Sequence, residues 1–217
     1  MAGEPALTLA QPFAGMLRAV IPPSLGFVDA AGLPVALETA TRAISQLGVR
    51  SGSTLFINGA SGGIGSTAVQ LAAARGARVI GAASTANQNY LALLGAEPVT
   101  YGEGMVERVR ALAPGGVDVA LDVAGSGVLP QLIDLAGGSQ NVVTLADFDG
   151  SKEHGVRFSN GFADGHAFHS LAEVGELIEA GRFWLPVDRT FPLTEIAQAH
   201  RTSEHGHVRG RLVLVIS

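Results

Sequence analysis

From Thr54 to Ala146 the chain alternates between two hydrophobic patterns. Short apolar runs rich in β-branched residues (TLFIN, ARVIGAA, EPVTY, VDVALDVA, SQNVVTLA) are separated by stretches whose apolar positions recur every three or four residues (STAVQLAAARG, NQNYLALLG, MVERVRALA, VLPQLIDLA). The first pattern predicts strands and the second predicts helices. The runs are apolar almost throughout rather than at alternate positions, so both faces of the sheet must be covered. That is the signature of parallel strands joined by helical crossovers. Gly76, Gly95 and Gly137 stand where the helices should end.

Ahead of the first strand, Ala36, Ala40, Ala43, Ile44 and Leu47 fall at helical spacing, with Pro34 suited to a first turn and Gly48 to the residue beyond the end. A helix over about 35–47 is expected, and a weakly alternating strand before it over 13–21. Past the fifth strand, GVRFSN (155–160) predicts a sixth and HAFHSLAEVGELIEAG a strong amphipathic helix. VDRTFPL then reads as extended, EIAQAHRTSE as a short helix and RLVLVI as a terminal strand.

The first strand and first crossover meet in the stretch Asn58, Gly59, Ala60, Ser61, Gly62, Gly63, Ile64, Gly65. A pyrophosphate approaches main-chain amides closely only where side chains are absent, and a helix N-terminus offers unpaired N–H groups with partial positive charge. Set against G-x-G-x-x-G, the stretch Ala60 to Gly65 keeps the second and third glycines and has alanine at the first. The required context, a strand before and an amphipathic helix after, is present. Together with right-handed crossovers, this predicts an α/β fold of Rossmann type, a doubly wound parallel sheet of order 3-2-1-4-5-6 that binds a dinucleotide at its switch point.

Composition narrows the alternatives. The 217 residues, 47% of them hydrophobic, suffice for a sizeable core. Lys and Arg number 14 against 19 Asp and Glu, a net charge of −5 without blocks of one sign, which argues against a nucleic-acid partner. Neither a membrane-spanning run nor a signal-peptide pattern is seen, so the expected location is the cytoplasm and no membrane partner is expected. Cysteine is absent, which removes a catalytic thiol, a disulfide framework and a thiolate zinc site. His166 with His169 and His205 with His207 lack carboxylates at ligand spacing, so no metal is expected.

These segments, in order, resemble the medium-chain dehydrogenase/reductase superfamily, in its zinc-independent quinone oxidoreductase-like branch, from about Phe13 to Ser217. VIPPSLGFVDAAGLPVALETA is similar to the family's approach to the cofactor domain, NGASGGIGSTAVQLAAARGARVIGAAS to its nucleotide loop, and LALLGAEPVTY to its passage into the third strand. VDVALDVAG is similar to its fourth strand and LTEIAQAHRTSEHGHVRGRLVLVI to its closing segment. Members of that family begin with a GroES-like catalytic domain of roughly a hundred residues, for which this length leaves no room. The resemblance therefore divides the chain into a catalytic-domain remnant or edge (1–25), an NADP(H)-binding domain (26–181) and the C-terminal segment of the catalytic domain (182–217). Leu37 and Glu38 stand where the family usually has Gly-Leu before Thr39, which would set a carboxylate near the nicotinamide.

The expected function is that of an NADPH-dependent oxidoreductase, with this chain its cofactor-binding part. The preference for NADPH rests on residues: the second strand ends GAASTAN without the carboxylate that accepts from an NAD ribose, while Ser84 and Thr85 can donate to a 2′-phosphate. Tyr101 resembles the family's phosphate-side tyrosine, and the basic residue often found near Gln88 is missing. The resemblance marks Thr39, Asn58, Ala60, Ser61, Gly62, Gly63, Ile64, Gly65, Ser84, Thr85, Tyr101, Asp122, Val123, Ala124, Leu145 and Ala146 as cofactor-binding. Asp122 suits a capping carboxylate near Ser126 equally well. The implied partners are a quinone, enone or aldehyde as substrate, and a second copy joined through the sixth strand. Two alternatives stand beside this. One is a non-catalytic NADPH-binding or dimerisation module. The other, a short-chain dehydrogenase, is disfavoured because no Tyr-x-x-x-Lys pair exists: Leu94 follows Tyr90 by four residues and Met105 follows Tyr101.

Overall fold

The computed structural model of the chain describes residues 20–206 and 208–216. The strand expected over 13–21 and the remnant expected over 1–25 lie largely outside these described residues. Two helices, α1 (Phe27–Ala31) and α2 (Leu33–Gln46), lead into β1 (Thr54–Asn58). There follow α3 (Gly63–Ala74), β2 (Arg78–Ala83), α4 (Gln88–Leu93), β3 (Glu97–Thr100), α5 (Met105–Leu112), β4 (Val119–Asp122), α6 (Leu129–Ala136) and β5 (Val142–Thr144). The sheet has the order β3-β2-β1-β4-β5-β6, all parallel, as the hydrophobic pattern predicts. Alternate residues of β1 divide the core: Leu55 and Ile57 face α2, α3 and α4, while Phe56 faces α5 and α6.

One feature departs from the expected pattern. The sixth strand, β6 (Arg157–Phe158), is only two residues long instead of six. It is clipped by two helices that the hydrophobic pattern does not predict, α7 (Phe148–His154) and α8 (Gly161–Asp164). Asp147 starts α7 by accepting from Gly150 N at 2.8 Å, and Asn160 starts α8 by accepting from Ala163 N at 2.9 Å, so local caps outcompete strand extension on both sides. Beyond α9 (Ser170–Glu179) the extended segment, short helix and terminal strand expected from the sequence are all present. There β7 (Val187–Pro192), α10 (Ile196–Glu204) and β8 (Arg211–Val215) form a separate two-stranded parallel sheet with its own crossover helix.

This C-terminal unit is pinned across the loop between β1 and α3. Gly210 pairs with Gly62 in a parallel bridge, and the Gln70 side-chain amide exchanges two hydrogen bonds with the main chain of Trp184, at 2.8 and 3.0 Å. Leu33, Ala36 and Leu37 of α2, Val174 of α9, and Phe183 and Leu185 form a smaller apolar cluster beside the main core.

Candidate nucleotide site

The loop after β1 is shaped by exclusion. Gly59 takes a left-handed φ of 81°, and a Cβ on Gly65 would overlap Gly59 O and lie 2.8 Å from Ala60 Cα. The third glycine thus lets α3 pack directly on the strand end, which aims the first turn of α3 into the crevice. Ser66 and Thr67 donate their hydroxyls back to Gly62 O and Gly63 O, each at 2.8 Å, which holds the turn from inside. The first-turn amides of α3 have no intrahelical acceptor and carry the positive end of the helix dipole.

Strand ends on the other side are tied by one carboxylate. Asp122, wholly buried, accepts from Asn58 Nδ2 at 3.0 Å, Thr144 Oγ1 at 2.8 Å, and the amides of Ala124 and Gly125 at 3.2 and 3.0 Å. Its oxygens are spent on joining β1, β4 and β5, so it fixes the 122–125 loop from below.

Above the loop lies an open cavity of about 870 Å³. Of the residues marked in the sequence, Ser61, Gly62, Gly63, Ile64, Ser84, Tyr101, Val123 and Ala124 line it. Asn58, Ala60 and Asp122 are buried beneath it, and Gly65 serves the helix–strand contact. Thr39, Thr85, Leu145 and Ala146 are not on its wall. In place of Thr85, Asn87 faces the cavity, with its Nδ2 at 3.3 Å from both Ser61 Oγ and Ser84 Oγ. Its position in the run Ser84 to Asn87, directly after β2, was a signal that could have been read.

The opposite wall could not have been found from local sequence. It is built by α10, with Ile196 and His200, and by Gly210, Arg211 and Leu212. Arg211 passes between two glycines: its Cγ lies 3.3 Å from where a Cβ on Gly32 would be, and its Nε lies 2.7 Å from a Cβ on Gly63. Its Nε and Nη2 are buried without a hydrogen-bond partner among the described residues. Burial pushes this guanidinium below its ordinary pKa, though arginine stays charged in any accessible range. A buried cation with unused donors beside a helix N-terminus is a site suited to an anion.

Glu38 departs from expectation. Its carboxylate is turned into a buried cluster rather than towards open space, receiving Arg42 Nε at 2.8 Å, Ala167 N at 3.3 Å and Thr39 Oγ1 at 3.2 Å, while Arg42 also donates to Ser159 Oγ. The His166 ring nitrogen stands 3.6 Å from the same carboxylate. Burial raises its pKa, but the bonds from Arg42, Ala167 and Thr39 outweigh that and hold it below the ordinary glutamate value.

The family described as zinc-binding dehydrogenase matches residues 94–214. The human mitochondrial NAD(P)H oxidoreductase RTN4IP1 is 30% identical over 226 residues, covering 89% of this chain and 57% of its own. The 2-methylene-furan-3-one reductase of Solanum lycopersicum is 30% identical, covering 91% and 49% respectively. Among solved structures, the quinone oxidoreductase from Coxiella burnetii superposes with a TM-score of 0.75 at 29% identity, covering 91% of this chain and 63% of that one. The chain thus spans about half the length of the curated relatives it matches. Among the described residues no group of three His, Cys, Asp or Glu could hold a metal, so nothing described here fits the zinc of the family's description.

Proposed function

Since this chain belongs to the zinc-binding dehydrogenase family, within the medium-chain dehydrogenases/reductases, we propose that it is the NADPH-binding part of a zinc-independent oxidoreductase that reduces a quinone, enone or aldehyde. The observation that carries this reading is the bare, dipole-charged first turn of α3 beside the buried, partnerless Nε and Nη2 of Arg211, at the edge of a cavity large enough for a dinucleotide. Gly62, Gly63 and Arg211 would hold the pyrophosphate. Ser84, Asn87 and Tyr101 would meet the adenosine side, and Val123 and Ala124 the inner wall. The bound nicotinamide would supply a hydride for direct transfer to an electron-poor carbon. The protein's part in that step is to position the cofactor and exclude water. The names of the relatives, an NAD(P)H oxidoreductase and a 2-methylene-furan-3-one reductase, support this class of reaction. The cytoplasm remains the proposed location, although the human relative is named as mitochondrial.

Calorimetry tests the cofactor call. NADPH is expected to bind at least about tenfold tighter than NADH, because one charge-assisted hydrogen bond contributes about 1.5–3 kcal/mol. Equal affinities would remove the call. The same 217 residues are expected to reduce quinones at under about one thousandth of the median enzyme rate of about 10 per second, because an open crevice forfeits much of the orientation effect. Turnover at the median rate would refute this half of the reading and also the alternative of a non-catalytic module.

The proposed partner is a second copy, joined along β6. Ser159 N donates to Thr144 O, so the N–H of the preceding Phe158 points away from β5 to the open sheet edge. Beside it Phe148 and Phe158 meet edge to face at 5.2 Å, and Phe162 is 95% exposed. A bare edge flanked by exposed aromatics is a template for pairing. Phe158→Pro, which removes the outward donor but spares the inward ladder, is expected to convert a dimer into a monomer in light scattering. A wild-type chain already monomeric at tens of micromolar would end the proposal.

A further inference from the structure

We propose that the preference for a 2′-phosphate is decided by Arg209, a cation supplied by the C-terminal segment rather than by the loop that follows β2. The inference rests on the NADPH reading above and goes further, because it names the residue and couples specificity to anchoring of the segment across the β1–α3 loop.

The end of β2 offers hydroxyls and amides but no charge: Ser84, Thr85, Asn87 and Gln88 follow Ala83. The amide of Gln88 is fully committed, donating to Ala83 O, Ser84 O and Val99 O. A phosphate dianion placed there would lack a counter-ion if only this loop served it. The tertiary structure brings one from 122 positions away. Arg209 Nε and Nη2 both donate to Asn87 Oδ1, at 3.1 and 2.8 Å. The other end of the same Asn87 amide stands at 3.3 Å from Ser84 Oγ and Ser61 Oγ. The guanidinium lies over the Tyr90 ring, 5.0 Å from its centroid, a cation–π contact that helps hold it in place.

No carboxylate bonds to Arg209 among the described residues. Its two forked donors converge on one neutral carbonyl oxygen, a weak acceptor for a group whose fork matches a phosphate bidentately. A 2′-phosphate entering beside Ser84 would take both donors in exchange for Asn87, free the Asn87 oxygen, and gain the Ser84 hydroxyl. Val208 and Gly210, on either side of Arg209, line the cavity, and Gly210 is bridged to Gly62. Anchoring Arg209 to the ligand therefore also anchors the segment across the phosphate loop. A nucleotide without the 2′-phosphate leaves that anchor on Asn87.

The test uses two half-cofactors, 2′,5′-ADP and 5′-AMP, titrated calorimetrically into the wild-type chain, Arg209→Gln and Arg209→Lys. The wild type is expected to prefer 2′,5′-ADP by at least about tenfold, equivalent to about 1.4 kcal/mol. Arg209→Gln should bring the ratio to about one with 5′-AMP affinity unchanged, and Arg209→Lys should retain part of it, since the charge stays while the fork is lost. Hydrogen exchange at Val208 and Gly210 should slow with 2′,5′-ADP and not with 5′-AMP, a readout that a purely structural arginine would not produce. If the wild type prefers 2′,5′-ADP and Arg209→Gln keeps the preference, the proposal is overturned while the NADPH reading stands. If the wild type binds the two equally, or neither, the NADPH reading fails and takes this inference with it. Should Arg209→Gln not fold, an Arg209→Lys variant with the full wild-type ratio and unchanged exchange at Val208 would overturn the proposal by itself.

Discussion

Arg42→Leu is expected to destabilise the fold by about 3–5 kcal/mol, because it leaves the buried Glu38 carboxylate without the partner that offsets its desolvation. For a chain of this size that corresponds to a fall in melting temperature of roughly 6–20 °C. Replacing both members, Glu38→Leu with Arg42→Leu, should restore most of the loss, since an apolar pair of similar volume carries no desolvation cost. Denaturant unfolding of the two single variants and the double variant measures the coupling directly. Additive losses would show that the pair is not a unit. The pH dependence has a definite sign. The folded-state pKa of Glu38 lies below its unfolded value, so its contribution is fully present above the unfolded value of about 4.3 and is lost as the pH falls through the lower, folded one. Wild type should therefore lose stability more steeply below about pH 4 than the double variant does.

The second large effect is expected at Arg211, and here stability and binding should move in opposite directions. Within the described fold its Nε and Nη2 are buried without hydrogen-bond partners, a desolvation cost that no described residue offsets. Arg211→Leu keeps much of the packing against Gly32 and Gly63 but removes the charge, so the free protein should melt at the same temperature or higher. Binding should suffer. If the two donors reach the pyrophosphate, losing two charge-assisted bonds of about 1.5–3 kcal/mol each weakens NADPH by more than about a hundredfold. NADH and 5′-AMP should weaken too, since the lost contact lies on the phosphates they share, which separates this variant from one at Arg209. An unchanged dissociation constant would show that Arg211 fills space and nothing more. Trp184 offers a convenient emission probe: it packs edge-on against Tyr90 at 5.7 Å, next to the ring that carries Arg209.

The amino-acid sequence by itself determined the sheet and the phosphate loop. Leu55, Phe56 and Ile57 cannot all be buried unless helices cover both faces, and the only spacing that lets α3 meet β1 puts glycine at position 65. Both are local facts, settled by periodicity and by the absence of a side chain. Three other features were decided only in the tertiary structure. Asp122 could have faced the ligand or the backbone from its place at a strand end; the convergence of Asn58, Thr144 and two loop amides turned it inward. Glu38 could have stood in the open; Arg42 one turn along the helix, with the Ala167 amide 129 positions away, took its charge. The wall that carries Arg209 and Arg211 arrives because β8 and the residues before it fold back onto Gly62 and Asn87. No local pattern records such a return. Arg211, ordinary in its own neighbourhood, is stripped of water and set against the first residue of α3 only by long-range packing.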